Sequence, residues 1–275
     1  MPTYTVHAIN IGGFLLGEAD KVLILFSSER GIIRAVAKGA RKPNTKMSGR
    51  SDPLCVNKLF LSSGKTFEII SQAESIEAFP EFRLDLERMS YGLYYAELTN
   101  TFGQGLSEES EAYFQYLVKS LELQARTKHD PPWLCLEFEM GLLDMLGYRP
   151  ELTYCVVCRE VLGDYNLGTF NRELGGVVCQ NCSISERQMQ VAEGYRVDDP
   201  TWRTGAYITP LVWKNLVLSA DRRISEEGIG RTAVVKQGAM QQSVDAARRL
   251  IQGYIEHRAG KRMKSLEVLE QLNVR

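Results

Sequence analysis

The chain has 275 residues, 44% of them hydrophobic and 24% charged, which is enough to bury a sizeable core in two or three compact units. Its 33 lysines and arginines balance 34 aspartates and glutamates, a net charge of −1 that excludes polyanion binding by global positive charge. No apolar stretch reaches the ~18 residues of a membrane span, and the N-terminus lacks a signal-peptide pattern. We therefore expect a cytoplasmic protein with no membrane partner.

Residues 1–80 are predicted to form a small β-barrel. Five short runs of β-forming or alternating apolar residues are separated by turn signals. A tight hairpin at residues 62–65 is expected between the last two runs. Five strands in this length suit the oligonucleotide-binding (OB) barrel, and an SH3-like barrel stays open. The predicted strands are Tyr4–Ile11, Val22–Phe26, Ile32–Ala37, Leu54–Leu61 and Thr66–Ala73.

From residue 81 the hydrophobic period changes from two to about 3.6, which predicts helices. A second helix is expected around residues 113–121. A third should begin at Asp130 and Pro131 and end near Gly147. Further helices are predicted after Thr209, around residues 240–254 and at residues 266–272. The expected apolar face of the first helix comprises Phe82, Leu86, Met89, Leu93, Leu98 and Phe102.

These patterns predict an α+β multidomain protein. Residues 1–80 form the OB-fold domain and residues 81–152 a helical domain. Residues 153–184 form a four-cysteine zinc module, and residues 185–275 a C-terminal helical region that packs with the helical domain. Charge follows this division, since residues 1–80 carry ten basic and seven acidic side chains, whereas residues 81–154 carry six and thirteen.

Four of the six cysteines form two C-x-x-C pairs, Cys155 with Cys158 and Cys179 with Cys182, with 20 residues between the pairs. Each pair supplies two thiolates from one tight turn, and two pairs complete a tetrahedral zinc site. Glycines between the pairs permit a short hairpin. Four protein ligands favour a structural rather than a catalytic zinc ion. Iron accepts the same thiolates, and the spacing also leaves four free thiols or a redox pair open.

The stretch from Arg34 to Ser51 contains six basic residues and no acidic one. Its glycines and Pro43 predict an exposed loop. Mounted on a barrel, such a loop presents cations to a phosphodiester backbone, whereas the alternative is a solvated loop that only aids solubility. The candidate DNA-binding residues are Arg34, Lys38, Arg41, Lys42, Lys46 and Arg50.

A second basic cluster near the C-terminus faces only one acidic residue, Glu256. Because it lies on or beside amphipathic helices, a solvated helix face and an extension of the DNA-binding track are equally compatible with the pattern. Its members are Arg248, Arg249, Arg258, Lys261, Arg262 and Lys264.

The sequence contains no complete catalytic motif. Gly64-Lys65-Thr66 matches the end of a phosphate-binding loop, but Leu59 stands where that loop requires its first glycine. Residues 228–233 match a dinucleotide-binding pattern, but acidic residues precede them where a buried strand is required. No nucleophile and base pair is recognisable. We therefore predict that the chain is not an enzyme.

Several short runs occur in an order that is specific to one family. They are Gly17–Leu23, Gly31–Ile33, Ala37–Pro43, Leu142–Pro150 leading into Cys155–Cys158, and Lys264–Leu266. Together they resemble the RecO family of bacterial recombination mediators over about two thirds of the chain. Residues 194–238 depart from the family pattern.

The resemblance implies an OB-fold head, a helical body and a zinc module in a nucleoid-associated protein of DNA repair. It implies binding to single- and double-stranded DNA and annealing of complementary strands. It also implies cooperation with RecR to load RecA onto strands covered by single-strand-binding protein. Lys38, Arg41 and Lys42 occupy the place of the family's DNA-contacting residues. The alternative function is a zinc-ribbon adaptor of the transcription or translation machinery.

Overall fold

The computed structural model describes residues 3–43, 45–193, 205–221 and 237–273. The segment 228–233 lies outside them, as do the side chains of Met240 and Leu272. The chain divides into two compact units, Met1–Pro131 with Arg262–Arg275, and Pro132–Lys261. Among the described residues, no helix combines the length and the apolar character needed to cross a membrane.

Strands and helices follow one another in two groups along the chain. The strands are β1 (Thr3–Leu16), β2 (Asp20–Ser27), β3 (Gly31–Ala37), β4 (Val56–Ser62), β5 (Glu68–Glu77), β6 (Leu167–Asn171), β7 (Gly176–Cys179) and β8 (Ala206–Tyr207). The α-helices are α1 (Lys46–Arg50), α2 (Leu86–Phe102), α3 (Ser110–Arg126), α4 (Pro131–Met145), α5 (Gln180–Ala192), α6 (Pro210–Asp221), α7 (Gln237–Ala259) and α8 (Lys264–Asn273), and a 3-10 turn spans Pro80–Leu84.

The first five strands form a closed barrel in the order β1-β2-β3-β5-β4, with β1 pairing β4. All neighbours are antiparallel except β3 and β5, which run parallel. Alternate residues of each strand point inward, as the period of two requires. Val6, Leu25, Ala35 and Leu61 are fully buried in this core. All five predicted strands are therefore present.

Two details of the barrel differ from the sequence prediction. β1 continues to Leu16 instead of ending at Ile11, because a register shift between Asn10 and Gly12 breaks the alternation without ending the strand. The prediction of a tight hairpin at residues 62–65 was wrong, because the connection between β4 and β5 is longer and spans residues 63–67. Gly64 is required there because a Cβ atom would lie 2.1 Å from the Phe67 carbonyl oxygen.

Helix α2, where the helical period begins, buries only part of the apolar face that was predicted for it. Leu86 is 65% exposed and Leu93 38% exposed, whereas Tyr91, Tyr94 and Tyr95 are fully buried. The tyrosines bury large rings and still find partners for their hydroxyl groups. The Tyr95 hydroxyl, for example, donates to the Gln124 side-chain oxygen at 3.3 Å. The predicted face was therefore wrong for Leu86 and Leu93, whereas Phe82 and Leu98 are buried as predicted.

An arginine network ties the barrel to the helices of the first unit. The Arg126 guanidinium on α3 bonds Glu77 at 2.7 Å and Glu81 at 2.9 Å, and it lies over the Phe79 ring. Burial raises the pKa of Glu77, but hydrogen bonds from the Phe79 N–H and from Arg126 outweigh burial and leave that pKa below its ordinary value. A lowered pKa in the folded state stabilises the fold only while the carboxylate is ionised.

We expect Arg126→Met to lower the free energy of unfolding by about 1 kcal/mol at pH 7, the size of a partly exposed ion pair. The loss should shrink at pH 3, because the stabilisation disappears as the pH falls through the lowered pKa of Glu77. Urea unfolding at both pH values measures it. The control is Lys119→Met, which removes an ion pair to Glu122 within one helix and should change less. An equal loss at pH 7 and pH 3 would contradict the prediction.

The second unit contains α4, the antiparallel sheet β7-β6-β8, and helices α5 to α7. α4 begins at Pro131 as predicted, and Gly147 follows it with φ at +72°, a conformation that favours glycine. α6 begins after Thr209, whose hydroxyl oxygen accepts from the Val212 N–H at 3.3 Å. Of the predicted α7 face, Val244, Ala247, Ile251 and Tyr254 are buried.

Candidate functional sites: a basic barrel end and a four-cysteine cluster

Three connections emerge at one end of the barrel. The end of β3 lies beside the start of β2, since Ala37 pairs with Lys21. The start of β5 lies beside the same part of β3, since Ala35 pairs with Glu68. The β1–β2 turn, the β3–α1 connection and the β4–β5 connection are therefore neighbours. We call this region the basic end, defined by residues 14–21, 34–46 and 63–68.

Five of the six candidate DNA-binding residues lie at the basic end. Arg34 lies on β3 between the inward-facing Ile33 and Ala35, so its exposed side chain points outward. Lys38, Arg41 and Lys42 are exposed in the connection that follows. Lys46 is exposed at the start of α1. The sixth, Arg50, is half-buried at the end of α1, and its carbonyl accepts from the Asn57 side chain at 3.0 Å, near the start of β4 and away from the β4–β5 connection.

The expectation of an exposed loop was wrong for residues 46–50, whereas the predicted strand Ile32–Ala37, which carries Arg34, is confirmed. Residues 31–37 are strand and residues 46–50 are helix. The Thr45 side chain caps α1 by accepting from the Ser48 N–H at 3.2 Å. The same hydroxyl donates to the Gly39 carbonyl at 3.1 Å. The short helix is thus anchored to the turn that carries Lys38 and Arg41.

The positive charge of the basic end is not neutralised internally. Within the described part of the chain, none of the six cations forms an ion pair with a carboxylate. The Asp20 carboxylate accepts from the Gly39 N–H at 2.7 Å. Arg41 donates to the Gly17 carbonyl at 2.8 Å, which holds its guanidinium against the β1–β2 turn. The cations are therefore accessible to a polyanion.

The C-terminal basic cluster does not form one exposed track. Arg248 is 4% exposed and donates to the Cys135 sulfur at 3.4 Å. The Arg258 guanidinium lies over the rings of Tyr148 and Tyr254, with 5.2 and 5.0 Å to their centroids. The hypothesis that this cluster extends a DNA track is therefore wrong for Arg248, which packs inside the second unit.

The two C-x-x-C pairs converge on one point of the second unit. The sulfur atoms of Cys155, Cys158, Cys179 and Cys182 all lie within 4.8 Å of one another. Cys155 and Cys158 belong to a turn between Tyr154 and Val161, which pair as an antiparallel bridge. Cys179 ends β7, and Cys182 lies in the first turn of α5. The sequence spacing correctly predicted the cluster and the β6–β7 hairpin between its halves.

Backbone hydrogen bonds join the two halves of the cluster. The Val156 N–H donates to the Val177 carbonyl at 3.0 Å, and the Val177 N–H donates to the Glu151 carbonyl at 3.0 Å. The Cys179 N–H donates to the Cys155 sulfur at 3.3 Å. Gly176 permits this approach, because a Cβ atom there would lie 2.5 Å from the Glu151 carbonyl oxygen.

The electrostatics of the cluster favour a thiolate at one position. Burial raises the pKa of Cys155, but N–H groups of Cys158, Cys179 and Val157 outweigh burial and bring that pKa to about 7. Burial and hydrogen bonds to Cys158 and Cys179 raise the pKa of Cys182. N–H donors to sulfur are the usual outer support of a metal–thiolate site.

The four thiols fit a tetrahedral metal ion. A tetrahedron with zinc–sulfur bonds of about 2.3 Å has sulfur–sulfur edges of about 3.8 Å. The Cys158 and Cys179 sulfur atoms lie 3.7 Å apart. A donor set of four thiolates matches zinc or iron and does not suit magnesium or calcium. The cluster is therefore a group that can bind a metal ion.

Sequence reasoning missed one feature of the basic end. The rings of Phe14 and Phe67 make an edge-to-face contact, with 6.0 Å between their centroids. Phe14 lies beyond the predicted end of β1, and Phe67 was placed inside a predicted strand. The signal in the sequence that could have identified it is the apolar run from Phe14 to Leu16, directly before the turn at Gly17. All three side chains of this run are exposed in the structure.

Comparison with known proteins gives two family matches and relatives that span most of the chain. Residues 1–79 match the model described as Recombination protein O N terminal, and residues 83–194 match Recombination protein O C terminal. A protein of Symbiobacterium thermophilum named DNA repair protein RecO is 31% identical over 99% of this chain and 98% of its own length.

Two further relatives carry the same name. One from Desulforamulus reducens is 34% identical over 69% of this chain and 72% of its own length. One from a Synechococcus strain is 27% identical over 97% of this chain and 89% of its own length. The matches cover both compact units, and the chain therefore belongs to the RecO family of recombination proteins.

Proposed function

We propose that this chain binds DNA at the basic end of its barrel and acts as a non-covalent mediator of DNA repair by recombination. The observation that carries the proposal is the set of five exposed cations at one end of the barrel, which have no carboxylate partners among the described residues. They are Arg34, Lys38, Arg41, Lys42 and Lys46. The names of the relatives support the biological role, since each is named a DNA repair protein.

The proposal includes the assignment of the barrel as an OB-fold. The closed order β1-β2-β3-β5-β4 and the parallel β3–β5 pair support it. In OB-folds the face of the second and third strands, with the connections before β2 and before β5, binds oligonucleotides. Those are two of the three connections that meet at the basic end.

Annealing follows from the same chemistry. Two DNA strands repel each other, and cations that bind their phosphates neutralise this repulsion and raise the local strand concentration. Because phosphate contacts leave base edges free, complementary strands pair while bound. No covalent step is required. The proposal extends to RecR, RecA and single-strand-binding protein as partners at the nucleoid.

We propose that the four cysteines hold a structural zinc ion. Zinc supplies four strong bonds that fix the two C-x-x-C turns to each other. The chain's own groups contribute the four sulfur ligands and the N–H donors behind them. In this proposal, residues 1–80 bind DNA and residues 153–184 keep the second unit folded. The domain boundaries predicted from the sequence are part of the proposal.

The test is strand annealing by the variant Lys38→Ala, Arg41→Ala, Lys42→Ala. We expect annealing of complementary oligonucleotides to fall at least tenfold, because three of about six phosphate contacts are lost. The control removes three exposed cations of the second unit, Arg172, Arg249 and Lys261, and should anneal normally. An adaptor protein shows no annealing in the unmodified chain, and that result would reject the proposal in favour of the adaptor function.

A further inference from the structure

An aromatic pair, the exposed Phe14 and the half-buried Phe67, lies among the cations of the basic end. Phe14 is 47% exposed, and its ring meets the Phe67 ring at an angle of 68°. Phe14 lies three residues before the β1–β2 turn, and Phe67 directly precedes β5. A large apolar ring is therefore presented to solvent in the region of the molecule where five of the candidate cations lie.

The strand register places this ring on the outer face of the barrel. Phe14 pairs with Val22, and Val22 pairs with Val36. The next residues along β2 and β3, Leu23 and Ala35, point into the core, so the row from Phe14 to Val36 faces outward. This row is about 10 Å long, since neighbouring strands are spaced at about 4.8 Å.

Cations flank the row. Arg34 precedes Val36 by two residues on β3 and so shares the outer face. Lys38 follows the end of β3, and Lys65 lies two residues before Phe67; both are exposed. An apolar ring bordered by exposed positive charge suits a ligand that is itself both aromatic and anionic. The core of a protein–protein interface, by contrast, is depleted of charged residues.

We propose that Phe14 and Phe67 form a stacking platform for unpaired bases, with Arg34, Lys38 and Lys65 binding the phosphates on either side. This inference rests on the proposed function and specifies the ligand as a single strand with exposed bases. The faces of bases in a duplex are covered by their neighbours, so a protein ring reaches only an unpaired base. Base–aromatic stacking is tolerant of sequence, which suits a protein that acts on any strand.

The experiment compares a thymidine oligonucleotide with an abasic oligonucleotide of equal length. The variant Phe14→Leu keeps an apolar side chain over Val22 but removes the ring. We expect Phe14→Leu to weaken binding of the thymidine strand about tenfold, within the range of one lost stack, and to leave the abasic strand unchanged. Phe14→Trp should keep full affinity, and its added fluorescence should be quenched by the thymidine strand but not by the abasic strand.

Two controls separate this inference from the proposed function. Leu84→Ala removes an 89% exposed apolar side chain of the same unit and should not change binding. The triple alanine variant of Lys38, Arg41 and Lys42 should weaken binding of both oligonucleotides. If it weakens neither, the proposed function fails. Suppose instead that the triple variant weakens binding of both oligonucleotides, but Phe14→Leu weakens binding of neither or of both by the same factor. Then only the stacking platform is wrong.

The tryptophan variant keeps the test decisive if Phe14→Leu does not fold. Its thermal unfolding should match that of the unmodified chain, because an aromatic ring still covers Val22. A folded Phe14→Trp protein that binds the thymidine strand without a quench at position 14 would overturn the platform.

Discussion

Replacing Cys158 by serine is expected to release the metal ion and to lower the stability of the second unit strongly. Structural zinc contributes on the order of 10 kcal/mol of folding free energy at neutral pH, and three ligands hold it far less well than four. A loss of about 4 kcal/mol corresponds to a fall in Tm of roughly 15 °C for a unit of this size. Metal analysis and calorimetry of the purified protein measure both quantities.

The matched control is Cys55→Ala. Cys55 is a buried thiol of the barrel unit that lies outside the four-cysteine cluster, and its sulfur donates to the Gly49 carbonyl at 3.5 Å. This variant should keep one metal ion per chain. Loss of metal from Cys158→Ser without loss of stability would show that the ion has no structural role. Iron in place of zinc in the unmodified protein would overturn the choice of metal.

The Cys158→Ser variant also distinguishes a structural ion from one that contacts DNA. Cys158 belongs to the second compact unit, whereas the six candidate DNA-binding residues belong to the first. We therefore expect Cys158→Ser to bind a single strand within about threefold of the unmodified chain at a temperature where the barrel is folded. A loss of affinity as large as that of the Lys38, Arg41 and Lys42 variant would assign a DNA contact to the module.

Local chemistry explains why some features were predictable from the sequence. Pro131 and Gly147 fix the limits of α4 through backbone geometry alone, and Thr209 fixes the start of α6 through one hydrogen bond. The two C-x-x-C pairs constrain their own sulfur atoms to one side of a turn. Such signals lie within a few residues, so tertiary context does not change them.

The features that could not be predicted depend on residues far apart in the chain. The buried face of α2 is decided by tyrosines and by hydroxyl groups that find partners on α3, as Thr99 does with the Tyr113 hydroxyl at 2.8 Å. A period count that treats every leucine as a core residue includes Leu86 and Leu93, which are exposed, and omits the tyrosines. Likewise, the contact of Phe14 with Phe67 joins two distant positions, and only barrel closure brings them together.

The strength of DNA binding should depend steeply on salt. If about five of the six cations displace counterions from a single strand, the slope of log K against log salt is about −3.5, because each contact contributes about −0.7. Affinity should then fall on the order of 100-fold between 50 and 200 mM salt. Titration of a labelled oligonucleotide at four or five salt concentrations measures the slope directly.

The triple replacement of Lys38, Arg41 and Lys42 by alanine should reduce that slope by about 2, since three contacts are removed. The variant of Arg172, Arg249 and Lys261 carries the same change in net charge and should keep the original slope. This comparison separates local contacts from the field of the whole protein, because a long-range field responds to net charge alone. Equal slopes for the two variants would mean that the basic end makes no specific phosphate contacts, and an affinity independent of salt would exclude phosphate binding altogether.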